Sequence, residues 1–404
     1  MHRREVIIRA SERLNDRLVS IRRDIHAHPE IGHAEHRTTR LIMDTLVTAG
    51  LKPRMLDIGT GALCDIVPDG ADAGDLVGLR ADIDALPVRE ANDVPYASIF
   101  PGLCHACGHD VHTAIVLGTG LILAQLHELG LLDRGVRLIF QPAEETSPGG
   151  ALDAIDGGAL DGVSEVYALH CDPRTQVGRV ALKTGAITSA VDAVLIKLTS
   201  AGGHTSRPHL TGDLVGALGA LATTMPLLLT RRVDPRSGVS LVWGRIAAGG
   251  VANAIPGSGE IEGTLRALNV QGWREAQQIL TSLATQVVAP YGVGIHVSIT
   301  AGTPPAVNHA VGVERFATAV KDILGRNAIA PTEQSLGGED FSWMLQQVPG
   351  ALARLGVRPV GASSAPDIHQ PTFNVDESCI AVGVKVLSEL ATTRGTADPT
   401  VALR

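Results

Sequence analysis

Apolar residues recur at spacings of three and four over Ile7, Ala10, Leu14, Leu18, Ile21 and Ile25. This is the period of one amphipathic helix, ending before Pro29. Thr39 to Leu51 continues helical with Gly50 as its stop, and Gly61 to Val67 and Asp75 to Leu79 read as strands. The apolar run Thr113 to Leu131 predicts a buried helix, and Val136 to Phe140 and Val166 to Leu169 read as short strands. This alternation up to about residue 180 predicts a mainly parallel sheet covered on both faces, with sites beyond the carboxyl ends of its strands. After about residue 185 the order changes to strand Val191 to Leu198, helix Leu214 to Leu229, strands Val239 to Ile246 and Glu260 to Leu268, helix Trp273 to Val288 and strand Gly294 to Ile299. That βαββαβ order is the split ferredoxin-like unit. The α/β pattern then resumes with helix Val311 to Leu324, strand Ala351 to Gly356 and helix Cys379 to Thr392. The predicted class is α/β: a discontinuous domain over residues 1–186 and 300–404, interrupted by a ferredoxin-like domain over 187–299.

At 404 residues and 45% hydrophobic, the chain has material for two ordinary domains. A net charge of -8 supplies no basic face for nucleic acid, and 3% aromatic residues leave little for base stacking. The charged start Met1-His2-Arg3-Arg4-Glu5 lacks the apolar core of a signal peptide, and no apolar run is expected to reach membrane-spanning length, so the cytoplasm is the expected location. Five cysteines, Cys64, Cys104, Cys107, Cys171 and Cys379, odd in number and three of them isolated, predict reduced thiols rather than a disulfide framework.

Chemistry concentrates in Cys104-His105-Ala106-Cys107-Gly108-His109-Asp110-Val111-His112, with two thiols, three imidazoles and a carboxylate in nine residues. Thiolate with imidazole suits a borderline divalent ion such as Zn²⁺. Taken alone, Cys104-x-x-Cys107 also reads as a redox pair or half a zinc knuckle. A c-type haem site is excluded because Gly108 follows the second cysteine. Glu144-Glu145 follows an apolar strand and Pro142; such carboxylates are ordinarily exposed loop residues. Side by side they allow more: one can bind a metal while its neighbour takes a proton from a water whose pKa the ion lowers towards ~7. His170 and His369 would complete a mixed N/O/S donor set, although each alone reads as an ordinary histidine. His26-Ala27-His28-Pro29-Glu30 fits a capped helix end as well as a site. In the inserted domain, Gly202-Gly203-His204 permits close backbone approach, and Asn253 and Arg266 offer groups for a carboxylate, Arg266 bidentately.

In succession, His28-Pro29-Glu30, Arg80-Ala81-Asp82-x-Asp84-Ala85-Leu86-Pro87, His105-Ala106-Cys107-Gly108-His109-Asp110-x-His112, Gln141-Pro142-Ala143-Glu144-Glu145, Leu169-His170, Gly202-Gly203-His204, Asn253-x-Ile255-Pro256, Gly338-Glu339-Asp340-Phe341-Ser342 and His369 span nearly the whole chain. This order resembles the amidohydrolase branch of the aminoacylase/carboxypeptidase-type dinuclear metallopeptidases, which includes hippurate hydrolase, N-acyl-amino-acid amidohydrolases and indole-acetyl-amino-acid hydrolases. The resemblance implies a metallohydrolase catalytic domain with an inserted dimerisation and lid domain. It implies metal ligands Cys107, His109, Glu145, His170 and His369, Glu144 as general base and Asp84 as the carboxylate that orients it. His204 would polarise the scissile carbonyl in the partner subunit's site, with Asn253 and Arg266 binding substrate. Five ligands exceed what one zinc uses, so two divalent ions per subunit (Zn, Mn, Co or Ni) are expected.

The chain departs from the pattern in three places. Cys104 stands where methionine is common, Thr205-Ser206-Arg207 replaces small residues, and Cys171-Asp172-Pro173 follows His170. The expected function is metal-dependent hydrolysis of the amide bond of an N-acyl amino acid, in a cytoplasmic homodimer or higher oligomer with no nucleic-acid or membrane partner. The rivals are a dipeptidase or aminopeptidase on the same scaffold and a non-catalytic metal-binding module.

Overall fold

The computed structural model describes residues 2–72 and 74–393; the end of the expected last domain segment, 394–404, lies outside the described residues. The chain forms two compact units: Met1–Ile187 with Val307–Glu333 and Trp343–Arg404, and Thr188–Ala306 with Gln334–Ser342.

The first unit is built on an eight-stranded sheet. Its order is Arg54–Met55, Ala62–Ile66, Val136–Gln141, Leu76–Asp82, Val163–Gln176, Gly350–Arg358, Val180–Leu182 and Ile329–Pro331. The four central strands run parallel, as the alternation predicts. Val136–Gln141 and Leu76–Asp82 are buried along their whole length, so neither alternates between apolar and polar. Helices Arg3–Ala27, His109–Glu128 and Ser378–Thr392 belong to the same core, and the middle one is buried nearly all round. Burying each of its leucines and isoleucines contributes about 1.5–3 kcal/mol of hydrophobic stabilisation.

Of the boundaries that differ from expectation, two bear directly on the site. The buried helix starts at His109 rather than Thr113, so His109, Asp110 and His112 lie in its first turn. Its N-cap is Gly108 at φ 88°, where an added Cβ would lie 2.8 Å from Cys171 Sγ. His170 does not follow a short strand but lies inside the 14-residue strand Val163–Gln176. That strand outruns its neighbour: pairing with Leu76–Asp82 stops at Arg80↔Ala168, while pairing with Gly350–Arg358 continues past His170.

The second unit has a four-stranded antiparallel sheet in the order Ser240–Ala248, Ser258–Ala267, Ala190–Thr199 and Gly294–Thr303, with helices Leu214–Arg232 and Val270–Val288. This is the expected βαββαβ connection. Each helix start is capped by a side chain, Asp213 accepting from Gly216 N–H and Asn269 from Gly272 N–H. Buried Asp192 accepts from Trp273 Nε1 (2.7 Å), Gln277 Nε2 (2.8 Å) and Gly302 N (3.1 Å). Residues 334–342 join this unit through backbone carbonyls that periodicity does not display: Gln334 Nε2 donates to Thr188 O and Leu268 O, and Arg266 donates to Leu336 O. Helix Leu214–Arg232 does reach the length and mean hydropathy of a membrane span, contrary to the sequence reading. Six of its residues, from Leu214 to Leu229, are nevertheless buried within the unit.

Candidate metal centre

The first unit gathers seven of the ten predicted site residues. Asp84 lies just past the strand ending at Asp82, and Cys107 and His109 flank the helix start. Glu144 and Glu145 follow the strand ending at Gln141, and His170 lies in its own strand. The loop residue His369, at φ 64°, is held by its N–H donating to Ala106 O at 2.7 Å. Three donor groups result: Cys107, His109 and His170; Cys107, Glu145 and His369; and His109, Glu144 and Glu145. Within each group the donor atoms lie within 4.8 Å of one another. Cys107 is common to the first two.

Asp84 ties these segments together, Oδ1 lying 3.2 Å from His109 Nδ1 and Oδ2 accepting the Glu145 N–H at 3.0 Å. A carboxylate that sequence reasoning passed over does related work. Glu35, fully buried at the start of helix His36–Thr48, accepts the Ala143 N–H on Oε1 at 2.8 Å. Ala143 has φ 56°, a left-handed conformation that a residue with a Cβ needs external support to keep. Only the isolated glutamate before a helical segment hinted at this. Other parts of the motifs are structural. Asp110 meets Arg22 Nε and His26 Nδ1, each at 2.7 Å, and against the effect of burial these hold its carboxyl well below the usual range. Glu30 accepts the Arg37 and Thr38 N–H groups, so His26-Ala27-His28-Pro29-Glu30 is a helix junction. Cys104 is buried outside the donor groups.

The residues present fit a divalent cation. His109 Nε2 and Glu145 Oε1 are buried without a hydrogen-bond partner, although His369 Nε2 lies 3.2 Å from the latter. Such atoms are costly unless something fills their valence. Burial opposes a charge on His109, yet Asp82 and Asp84 carry it up to about 10, the signature of a potential that favours positive charge. Burial, then Glu145 and Glu144, push the Cys107 thiol well above its ordinary value, so the thiolate needs a cation beside it. Burial and the Arg354 guanidinium hold His170 well below its ordinary value, in the neutral form that ligates.

The remaining three candidates lie in the second unit. His204 is exposed, in a two-residue strand pair with Ala254, beside Asn253, whose carbonyl accepts the Thr205 N–H. Ser206 N–H donates to His204 Nδ1 at 3.1 Å, which leaves the imidazole proton on Nε2. Arg266 lies apart from that pair, in the four-stranded sheet, with its guanidinium on Leu336 O at 2.6 Å.

This α/β sheet, with its thiol, imidazole and carboxylate donors converging at the strand ends, defines a metallohydrolase. The chain belongs to peptidase family M20/M25/M40, whose model matches residues 78–393, and within it is an amidohydrolase that uses divalent metal. It is 34% identical over 380 residues to the N-acetyl-L-cysteine deacetylase of Bacillus subtilis (strain 168), covering 94% of this chain and 88% of that one. It is 46% identical over 374 residues to a Rhodococcus jostii (strain RHA1) protein that carries a glutamate–cysteine ligase name, covering 93% of this chain; the chain spans 46% of that protein's length. Among solved structures, the Bacillus subtilis YXEP protein, a dinuclear metal-binding peptidase of the M20 family, is similar with a TM-score of 0.81 at 30% identity, covering 94% of this chain and 98% of that one.

Proposed function

We propose that the chain hydrolyses N-acyl amino acids, as a cytoplasmic homodimer, with two divalent ions (Zn, Mn, Co or Ni) per subunit. Cys107, His109 and His170 would hold one ion, and Glu145 and His369, with Cys107 in reach, the other. The observation that carries this reading is the pair of three-donor groups sharing one buried thiol. When bound, the ions supply Lewis-acid polarisation of the amide carbonyl and make water in the site easier to deprotonate. Glu144, with Oε2 3.9 Å from His109 Nε2, takes that proton and returns it to the leaving amine. Asp84 keeps the Glu144-Glu145 segment in register with His109. His204 donates from Nε2 to the developing oxyanion, the state its contact with Ser206 prepares. Asn253 and Arg266 bind substrate at separate points, Asn253 lying in the loop before strand Ser258–Ala267 and Arg266 near that strand's other end.

The name of the deacetylase relative supports the acyl-amino-acid substrate class. The test is turnover of N-acetyl, N-benzoyl and longer N-acyl amino acids beside free dipeptides, with bound metal assayed on the same sample. Cleavage of acylated amino acids in preference to dipeptides is expected. Preference for dipeptides would make it a peptidase on this scaffold, and no turnover by metal-loaded protein would leave a binding module.

A further inference from the structure

Arg80, Asp82 and His112 belong to the motifs yet have no part in the reaction described above. All three are buried, His112 in the first turn of helix His109–Glu128 and Asp82 at the end of its strand. His112 Nε2 faces the Cys171 N–H at 2.8 Å. An amide N–H can only donate, so Nε2 is the acceptor and the ring proton lies on Nδ1, where it donates to Asp82 Oδ1 at 2.6 Å. Asp82 is itself fixed: Arg80 donates to its Oδ2 at 2.6 Å, and Arg80 Nε donates to Gln141 Oε1 at 2.9 Å. The tautomer of His112 is therefore dictated from both sides.

Two consequences follow. His112 has no lone pair left for a metal, although Asp82, His109 and His112 lie as close together as the other donor groups. Cys171, gripped at its N–H by His112, presents its carbonyl to His170 Nδ1 at 2.9 Å. His170 thus carries its proton on Nδ1 and turns the Nε2 lone pair towards Cys107 Sγ, 3.5 Å away. Pairing with Leu76–Asp82 has already stopped at this level of the strand, so side chains replace the missing sheet neighbour.

We infer that His112 is a positioning residue for the metal centre, locked by Arg80 and Asp82 as the Nδ1–H tautomer so that it fixes the residue whose carbonyl orients His170. The inference rests on the proposed role of His170 as a ligand.

Two variants test it. His112→Phe keeps a flat ring and removes both nitrogens, whereas His112→Gln keeps an acceptor near the position of Nε2. Affinity of the metal-free protein for Zn²⁺ and Co²⁺ is measured by competition with a chromophoric chelator, and folding by circular dichroism. Loss of a partner that orients a ligand typically costs 10- to 100-fold in metal affinity, which is the fall expected for His112→Phe, with partial recovery in His112→Gln. His170→Ala is measured alongside. If it weakens binding while His112→Phe binds like the parent, the relay is wrong and the ligand assignment stands. If His170→Ala also binds like the parent, the ligand assignment has failed and the relay with it. Should His112→Phe not fold, ¹⁵N-histidine spectra of the unmodified, metal-loaded protein decide: His112 as the Nδ1–H tautomer supports the relay, and protonation on Nε2 overturns it.

Discussion

The Glu145 amide donates to Asp84 Oδ2 at 3.0 Å, which couples the loop after strand Val136–Gln141 to the stretch after strand Leu76–Asp82. The other oxygen, Oδ1, serves His109 Nδ1. Both contacts need an acceptor, and a carboxylate offers two where an amide offers one. Asp84→Asn is therefore expected to set an NH₂ group against one of two N–H donors, lowering activity or metal affinity by about 10- to 100-fold while the chain stays folded. Kinetics together with metal content on one preparation check this; parent values for both would remove Asp84 from the site.

The adjacent glutamates separate in the same kind of experiment. Glu144→Gln should keep its metal and bind substrate while losing roughly 10²- to 10⁴-fold in rate, the scale of a removed general acid or base. Glu145→Gln should lose metal as well. If the metal contents come out reversed, the two roles have been exchanged.

Much of this arrangement was legible in the chain because the long elements carry clean periods. The βαββαβ order and the parallel strands followed from apolar spacing alone; Cys107 and His109 stood out by density, and Glu144 and Glu145 only as adjacent carboxylates after an apolar strand. What stayed hidden has physical causes. Strands of two or three residues, such as Arg54–Met55 and Val180–Leu182, are too short to show a period. The first turn of helix His109–Glu128 is filled by His109, Asp110 and His112, polar residues buried because they are paired, so the helix seemed to begin later. Strand Leu76–Asp82 continues through buried Arg80 and Asp82, which neutralise each other. The service of Glu35 to Ala143 spans 108 positions, and no local pattern reports it.

Gly108 makes a sharper stability prediction. Its φ of 88° is left-handed, and a methyl group there would meet Cys171 Sγ at 2.8 Å and Cys171 Cβ at 3.1 Å. Gly108→Ala should lower stability by at least about 1–2 kcal/mol, the backbone penalty alone. Urea unfolding with chelator present isolates this from metal binding, and an unchanged midpoint would count against the close approach.

Metal removal should act on both stability and rate. Ligands bind metal in deprotonated form, and here His109 is held protonated to about 10 and Cys107 as a thiol, so the ion must displace protons. Apparent affinity should therefore rise as pH rises through the neutral range, with proton release visible by calorimetry in buffers of different ionisation enthalpy. Because the ion binds the folded chain, metal at about 100 times its dissociation constant should add roughly 2.7 kcal/mol of stability. A chelator that strips the metal without lowering the melting temperature or the rate would sink the proposed centre.

His204 carries the last prediction. Its Nδ1 is taken by the Ser206 N–H, so its proton is on Nε2, and the side chain is exposed beside Asn253. In the first unit, His109, His170 and His369 lie in the donor groups, and both nitrogens of His112 are engaged. None of these four is left to polarise a carbonyl, and His204 has the tautomer for it. Removing such an oxyanion donor typically costs about 10² to 10³ in turnover, so His204→Ala should fall by that order with its metals in place. Mixing His204→Ala with Glu144→Gln subunits then asks which chain His204 serves. If it acts on the partner subunit, one site of each mixed dimer regains both groups, and activity should rise well above that of either variant. Activity that stays at the level of the separate variants, once subunit exchange has been verified, would confine His204 to its own chain or remove it from the reaction.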